Sequence, residues 1–189
     1  MIDLVRPVAR STESFLPKTR SAIDDLLRLE AKFPNFHGKV YPTREDAHER
    51  LLDGIAELGR ATNGGEDSNH GITEKGVQII MQRGIQKSEC GTGWVFSRDL
   101  RHRVGSLYGL YNHNLEQVAT NIHCKHLLIK ASLSPNYEED ESISRTIACY
   151  SKNPLFVNRV VEGNHHLHLN NPENVLPVIK EFILSNSNL

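Results

Sequence analysis

The chain has 189 residues, 38% hydrophobic and 24% charged, with 22 basic side chains against 23 acidic ones and a net charge of −1. Such a size and mix fit one domain, or a helical insert attached to a small α/β piece. The even charge balance leaves no electrostatic footprint for nucleic acid, and no apolar run approaches the roughly 20 residues that a membrane span needs.

Met1-Ile-Asp-Leu-Val-Arg lacks a basic region followed by an apolar one, so it does not read as a signal peptide. Cys90, Cys124 and Cys149 are odd in number and lack metal-type spacing, which favours reduced thiols in a cytosolic or organellar interior. The final Ser-Asn-Leu echoes the peroxisomal Ser-Lys-Leu address, with asparagine in place of the lysine. A cytoplasmic location is expected, with a peroxisomal one as the alternative.

Met1 and Ile2 read as the tail of a buried strand, Asp3 as its polar end and Arg6-Pro7 as a break. A strand that opens on its own last residues is expected of a chain cut from a longer one. From Ser11 to about Asn114 the pattern is helical. Ile23, Leu26 and Leu27 fall at helix spacing, predicting a helix from Lys18 to Phe33 that Pro34 stops. Thr43, with Asp46 three residues on, predicts the cap of a second helix with Ala47, Leu51, Ile55 and Leu58 as its apolar stripe, ending near Gly59. The stretch 61–71 reads as a polar loop. Thr73 caps a third helix with Val77, Ile80 and Met81 facing one way. Residues 91–99 read as extended, Arg101, His102 and Arg103 as a solvated basic face beside Asp99, and Leu115, Val118 and Ile122 as a short helix.

At Lys125 the period changes. His126-Leu-Leu-Ile-Lys-Ala131 predicts a buried strand, 138–150 a helix with Ile143, Ile147 and Tyr150 on one face, and 155–161 another strand. Asn171 is expected to cap a last helix that has Pro172 at its first position. Strand, helix, strand, helix at these lengths predicts two parallel strands joined by a crossover.

Between the last strand and the last helix stand Gly163, Asn164 and three histidines, His165, His166 and His168. Open α/β sheets keep their chemistry at the carboxyl ends of their strands. Three readings fit such a loop. A metal site would need converging carboxylates or thiolates, which the spacing does not supply. Histidines that bond backbone are a second reading. In the third, an imidazole oriented by a carboxylate acts as general base and takes a proton from a serine hydroxyl.

The string Gly163-Asn-His-His-Leu-His-Leu-Asn-Asn-Pro-Glu-Asn-Val175 resembles the histidine loop of α/β-hydrolases. Matching Pro172 and Glu173 places the family's catalytic base on His165, and not on His166 or His168. Upstream, FSRDLRHRVGSLYG and HLLIKASLSPNYEED are similar to a narrower group, the serine hydrolase-like proteins, and MIDLVRP resembles the end of that group's sixth strand. The resemblance covers nearly the whole chain. It implies an α/β fold organised as the C-terminal part of an α/β-hydrolase: the end of strand six over 1–10, a mainly helical cap over 11–122, and a closing βαβα unit over 123–189.

In the family the nucleophile lies in a Gly-x-Ser-x-Gly elbow ahead of the cap. Here Gly105-Ser106-Leu-Tyr-Gly109 has its glycine adjacent to the serine and follows the helical stretch, so it is not an elbow. Nucleophile and oxyanion donors are expected upstream of Met1. For the acid, Asp3 is favoured; a second position used in the family falls near Ser134, and Glu138, Glu139 and Asp140 read as charges at a helix start. The resemblance implies a serine hydrolase acting on a small-molecule acyl substrate, with His165 as base, Asp3 as acid, and neither cofactor nor metal. The chain by itself is expected to be inactive. The alternative is a non-catalytic binding module on the same fold. The seventh strand is expected to present an unpaired edge, which marks a site for self-association.

Overall fold

The structure, a computed structural model, describes residues 1–9, 11–32, 39–63, 71–106, 109–134, 136 and 138–185. Contacts divide the chain into two units, Met1–Thr12 with Gly109–Leu189, and Glu13–Tyr108. The segment from Gly109, including residues that pack beside Leu128 and Tyr150, belongs with the unit that holds the parallel strands.

The second unit is mainly helical. Helix α1 (Thr12–Lys32) starts earlier than the expected Lys18 and carries Pro17 inside it; its expected stop at Pro34 lies outside the described residues. Helix α2 (Arg44–Asn63) begins with a reciprocal cap: the Thr43 backbone N–H donates to Oδ2 of Asp46 at 2.9 Å, and the Asp46 N–H donates to Oγ1 of Thr43 at 3.0 Å. The helix runs through Gly59 to Asn63, beyond its expected end. Helix α3 (Glu74–Gly84) is capped by Thr73, whose hydroxyl accepts from the Gly76 N–H at 3.2 Å. Val77 and Met81 are buried as the spacing predicts, whereas Ile80 is exposed, so the buried stripe is narrower than expected.

Strand β1 (Ile85–Lys87) was not visible in the sequence, being only three residues long and continuous with α3. It pairs antiparallel with β2 (Trp94–Phe96), and Tyr41 bridges to Trp94 from the other side. Gly93 is required here, because a Cβ would stand 2.4 Å from the Tyr41 carbonyl oxygen. Tyr41, Ala47, Val77, Met81 and Ile85 form the core of this unit, flanked by Leu51, Ile55, Trp94 and Phe96. A 3₁₀ turn (Leu100–Arg103) follows, capped by Asp99, which accepts from the Arg101 N–H and pairs with its guanidinium. The hydrogen bonds from Arg101 hold the Asp99 carboxyl down to about 2. The basic patch is therefore partly neutralised within its own turn.

The first unit contains the parallel pair of strands. Helix α4 (Asn112–Thr120) turns Leu115 and Ala119 inward and leaves Val118, expected on its apolar face, exposed. Strand β3 (His126–Ala131) and strand β4 (Phe156–Val161) are parallel, in register from His126 opposite Phe156 to Ala131 opposite Val161. Helix α5 (Asp140–Tyr150) joins them, as the periodicity predicts. After β4 come a single helical turn, α6 (Leu167–Asn170), and the final helix α7 (Pro172–Leu184).

Alternation along β3 sends neighbouring residues to opposite faces. Ile129 and Ala131 join Val161, Leu167 and Val175 on one face, while Leu128 joins Val5, Ala119 and Tyr150 on the other. Leu128 and Ile129 are completely buried. The second edge of β3 is partly occupied by the chain's first residues: Ile129 N–H donates to Met1 O at 3.0 Å, and Asp3 N–H donates to Ile129 O at 2.6 Å. Ile2 thus makes a parallel bridge to Ile129. The edge expected to be unpaired therefore carries one bridge at this point.

Candidate active site

Two backbone devices bring the site together. The first is at Asp3, where the strand-like start of the chain ends abruptly. Asp3 adopts φ = +57°, a left-handed conformation that aspartate tolerates better than most side chains. Leu4 N–H turns back onto Ile2 O at 2.8 Å, closing a tight turn. With its own N–H fixed to Ile129, Asp3 keeps its carboxylate at the carboxyl end of β3.

The second device follows β4. Gly163 has φ = +146°, and a Cβ there would lie 2.7 Å from the Cβ of Leu167. Only glycine lets the chain pass so close to that fully buried leucine. Gly163 O accepts from Leu133 N–H at 3.0 Å, tying the turn to the loop after β3. Asn164 then organises the turn: its Oδ1 accepts from His166 N–H at 3.0 Å and from Asn170 Nδ2 at 3.1 Å, and its carbonyl accepts from Leu167 N–H at 2.9 Å. The histidine loop, expected as irregular, is thereby wound into α6. Asn171 ends that turn with its N–H on Leu167 O, and its side chain makes no capping bond to α7, contrary to the capping role expected from its type.

Between these devices His165 faces Asp3. Nδ1 of the imidazole stands 2.6 Å from Oδ2 of the carboxylate. The other oxygen, Oδ1, accepts from Ala131 N–H at 2.8 Å and from Lys130 Nζ at 3.0 Å. The Asp3 side chain is fully buried, while that of His165 is 31% exposed, so the acid is sequestered and the ring reaches the surface. Burial by itself raises the Asp3 carboxyl. Hydrogen bonds from Ser134, His165, the Ala131 N–H and Lys130 outweigh it and hold the group below its ordinary value. An ionised carboxylate only accepts, so Nδ1 is the nitrogen that carries the ring proton. Nε2 is then the nitrogen through which the ring exchanges protons.

The structure thus brings together His165 and Asp3. It does not bring His166 or His168 to the carboxylate; the His166 ring stacks edge-on at 4.9 Å from His165, and His168 follows at 6.5 Å from His166. Glu138 is turned to Arg6, and Glu139 and Asp140 stand at the start of α5. Gly105 and Ser106 follow the 3₁₀ turn and not a strand directly. Among the described residues no group of three or more His, Cys, Asp or Glu converges as a metal site. A small cavity of about 10 Å³ beside Asp3, Arg6 and Lys130 has room for one water and none for a substrate.

Lys130 and Ser134 escaped the sequence reading. Lys130 carried a signal, as the charged side chain inside an otherwise apolar strand, and it is that position that meets Asp3. Ser134 stands near the second position expected for the acid, and its side chain hydrogen-bonds the Asp3 carboxylate.

No family model matches the chain. Among curated proteins, it is 31% identical to a probable serine hydrolase of Drosophila melanogaster, over 96% of this chain and 51% of that protein. It is 27% identical to a serine hydrolase-like protein of Danio rerio, over 93% of this chain and 52% of that one. The chain spans about half the length of the curated relatives it matches. Among solved structures, a hypothetical protein from Pseudomonas aeruginosa superposes with a TM-score of 0.66 at 22% identity, covering 96% of this chain and 55% of the other. The thioesterase domain from the curacin biosynthetic pathway superposes with a TM-score of 0.58 at 17% identity, covering 95% and 54%. The fold is α/β, of the α/β-hydrolase kind. The curated relatives that the chain resembles are named serine hydrolase or serine hydrolase-like proteins. No helix among the described residues is long and apolar enough to cross a membrane.

Proposed function

We propose that this chain contributes the base and the acid of a serine hydrolase catalytic triad, and that the nucleophilic serine belongs to a segment outside these 189 residues. The observation that carries the reading is the 2.6 Å contact between Nδ1 of His165 and the buried carboxylate of Asp3. The relatives' serine hydrolase names and their twofold greater length support it. So does the absence of any Gly-x-Ser-x-Gly string in the sequence.

In this mechanism Asp3 fixes the tautomer and orientation of His165 and stabilises the imidazolium that forms. Nε2 of His165 takes the proton of the serine hydroxyl as its oxygen attacks the acyl carbonyl. The same nitrogen returns that proton to the departing alkoxide, leaving an acyl-serine. Water, deprotonated by His165 in turn, releases the acid product and restores the serine. The substrate class is a carboxylic ester or related small acyl compound.

The test is an ester assay on the purified 189-residue chain, paired with labelling by a serine-directed phosphonate. The expected result is no turnover above that of the His165→Ala variant and no label. Turnover that the phosphonate abolishes contradicts the reading.

A further inference from the structure

Asp3 holds a strained left-handed conformation, and the chain after it, residues 4–9, has no helix or strand to keep it there. Such a conformation costs about 1–3 kcal/mol and persists only where its surroundings over-determine it. Upstream, the bridge to Ile129 does so. Downstream, the contacts converge on a short stretch of the same unit. Val5 is buried, and its carbonyl accepts from the Tyr150 hydroxyl at 3.0 Å. Burial raises the pKa of that phenol, so it remains a donor. Nε and Nη2 of Arg6 reach the two oxygens of Glu138 at 2.9 and 3.1 Å, and Nη2 also donates to Asn112 Oδ1 at 2.7 Å. Glu138 Oε1 then accepts the backbone N–H of Ala9 at 2.8 Å.

This ion pair is costly to build. The Arg6 side chain is 1% exposed and that of Glu138 12%, and Nη1 of Arg6 is buried without a partner among the described residues. A buried pair gains little net stability over an apolar substitute, and an unsatisfied donor subtracts from that little. What the pair does supply is geometry. A bidentate guanidinium–carboxylate contact fixes both direction and distance, here three residues beyond the acid.

We propose that Arg6 and Glu138 are a positioning pair for Asp3, holding the outgoing chain so that the carboxylate stays aimed at Nδ1 of His165. The inference rests on the reading of Asp3 and His165 given above. Neither Arg6 nor Glu138 touches the imidazole; both act through the backbone turn at Asp3. Within the MIDLVRP string this gives the arginine a role as specific as that of the aspartate before it.

The experiment is proton and nitrogen NMR of the His165 ring in the 189-residue chain, with circular dichroism and thermal melts as a check on folding. The readout is the downfield Nδ1 proton of an imidazole bonded to a carboxylate. Glu138→Gln and Arg6→Met are expected to lose that resonance while keeping the helical signal, and Arg6→Lys to restore part of it. Glu138→Gln preserves shape and is the deciding variant if Arg6→Met does not fold. Folded variants that keep the resonance and lose only melting temperature overturn the inference and leave the pair a packing element. Asp3→Asn separates the two levels. If it leaves the His165 resonance unchanged, the couple itself is wrong; if it removes the resonance while Glu138→Gln does not, the positioning role alone fails.

Discussion

His165 meets Asp3 at 2.6 Å across 162 residues of sequence, and each reaches the meeting point through a backbone conformation that few residues can adopt. Asp3 turns at φ = +57° and the histidine loop turns at Gly163, with φ = +146°. The contact depends on both turns, so the substitutions that probe it are as much backbone changes as charge changes.

Removing the acid should be expensive. Asp3→Ala deletes a carboxylate that accepts from Lys130, the Ala131 N–H and His165, removing the ion pair with Lys130 and the acceptor of a buried backbone donor. Breaking a buried pair in this way costs about 3 kcal/mol. Urea denaturation should show the midpoint falling with the slope unchanged. A loss under about 0.5 kcal/mol, the range of ordinary surface changes, would mean that the carboxylate is not integrated as described.

Stability should also follow the titration of this group. The Asp3 carboxyl is held below its ordinary value of 3.8 in the folded chain. The unfolded state therefore binds the proton more readily, and stability rises with pH while the group titrates. The contribution is complete above the unfolded value and disappears as pH falls through the lower, folded one. Melting temperature should drop from near pH 4 downward, and the drop should be smaller in Asp3→Asn. Equal acid limbs for the two proteins would contradict it.

Gly163→Ala tests the second turn. The added methyl would stand 2.7 Å from the Cβ of buried Leu167, in a conformation that alanine resists. Where alanine meets an incompatible native conformation the loss exceeds about 1 kcal/mol. Melting measurements should show at least that loss, and the His165 ring resonances should shift because the loop that carries them is displaced. An alanine variant that melts like the parent would show that the turn is not constrained.

In the helical unit, Thr43→Ala removes the hydroxyl that accepts the Asp46 N–H at 3.0 Å. The expected cost is about 1 kcal/mol, the usual value of an N-cap, read by chemical denaturation followed at helix-sensitive wavelengths. Thr43→Ser should recover most of it; equal losses for both would place the effect in packing of the methyl group.

Much of the architecture was legible because the chain's periods are clean where it matters. The apolar run 126–131 matches β3 to the residue, and the stripe of Ile143, Ile147 and Tyr150 matches the inner face of α5. Errors gathered where short-range signals compete. Val118 and Ile80 were read inward by spacing, but a helix packed on one side buries a narrower stripe than its apolar residues allow. Asn171 stands at the N-cap position of α7 as its type suggests, but it also closes α6 and its side chain makes no capping bond. Three-residue β1 has no period to detect. At the site, the histidine was legible from the string around it, while Lys130, Ser134 and Arg6 were not. Their roles come from sheet register and from where a turn at Asp3 sends the chain, and neither is written in local spacing.

The most direct measurement is the protonation pattern of the His165 ring at neutral pH, read by nitrogen NMR of the purified chain. The expected result is a protonated Nδ1 with a strongly downfield proton that vanishes in Asp3→Asn. A ring protonated at Nε2 and bare at Nδ1, unchanged by Asp3→Asn, would contradict it.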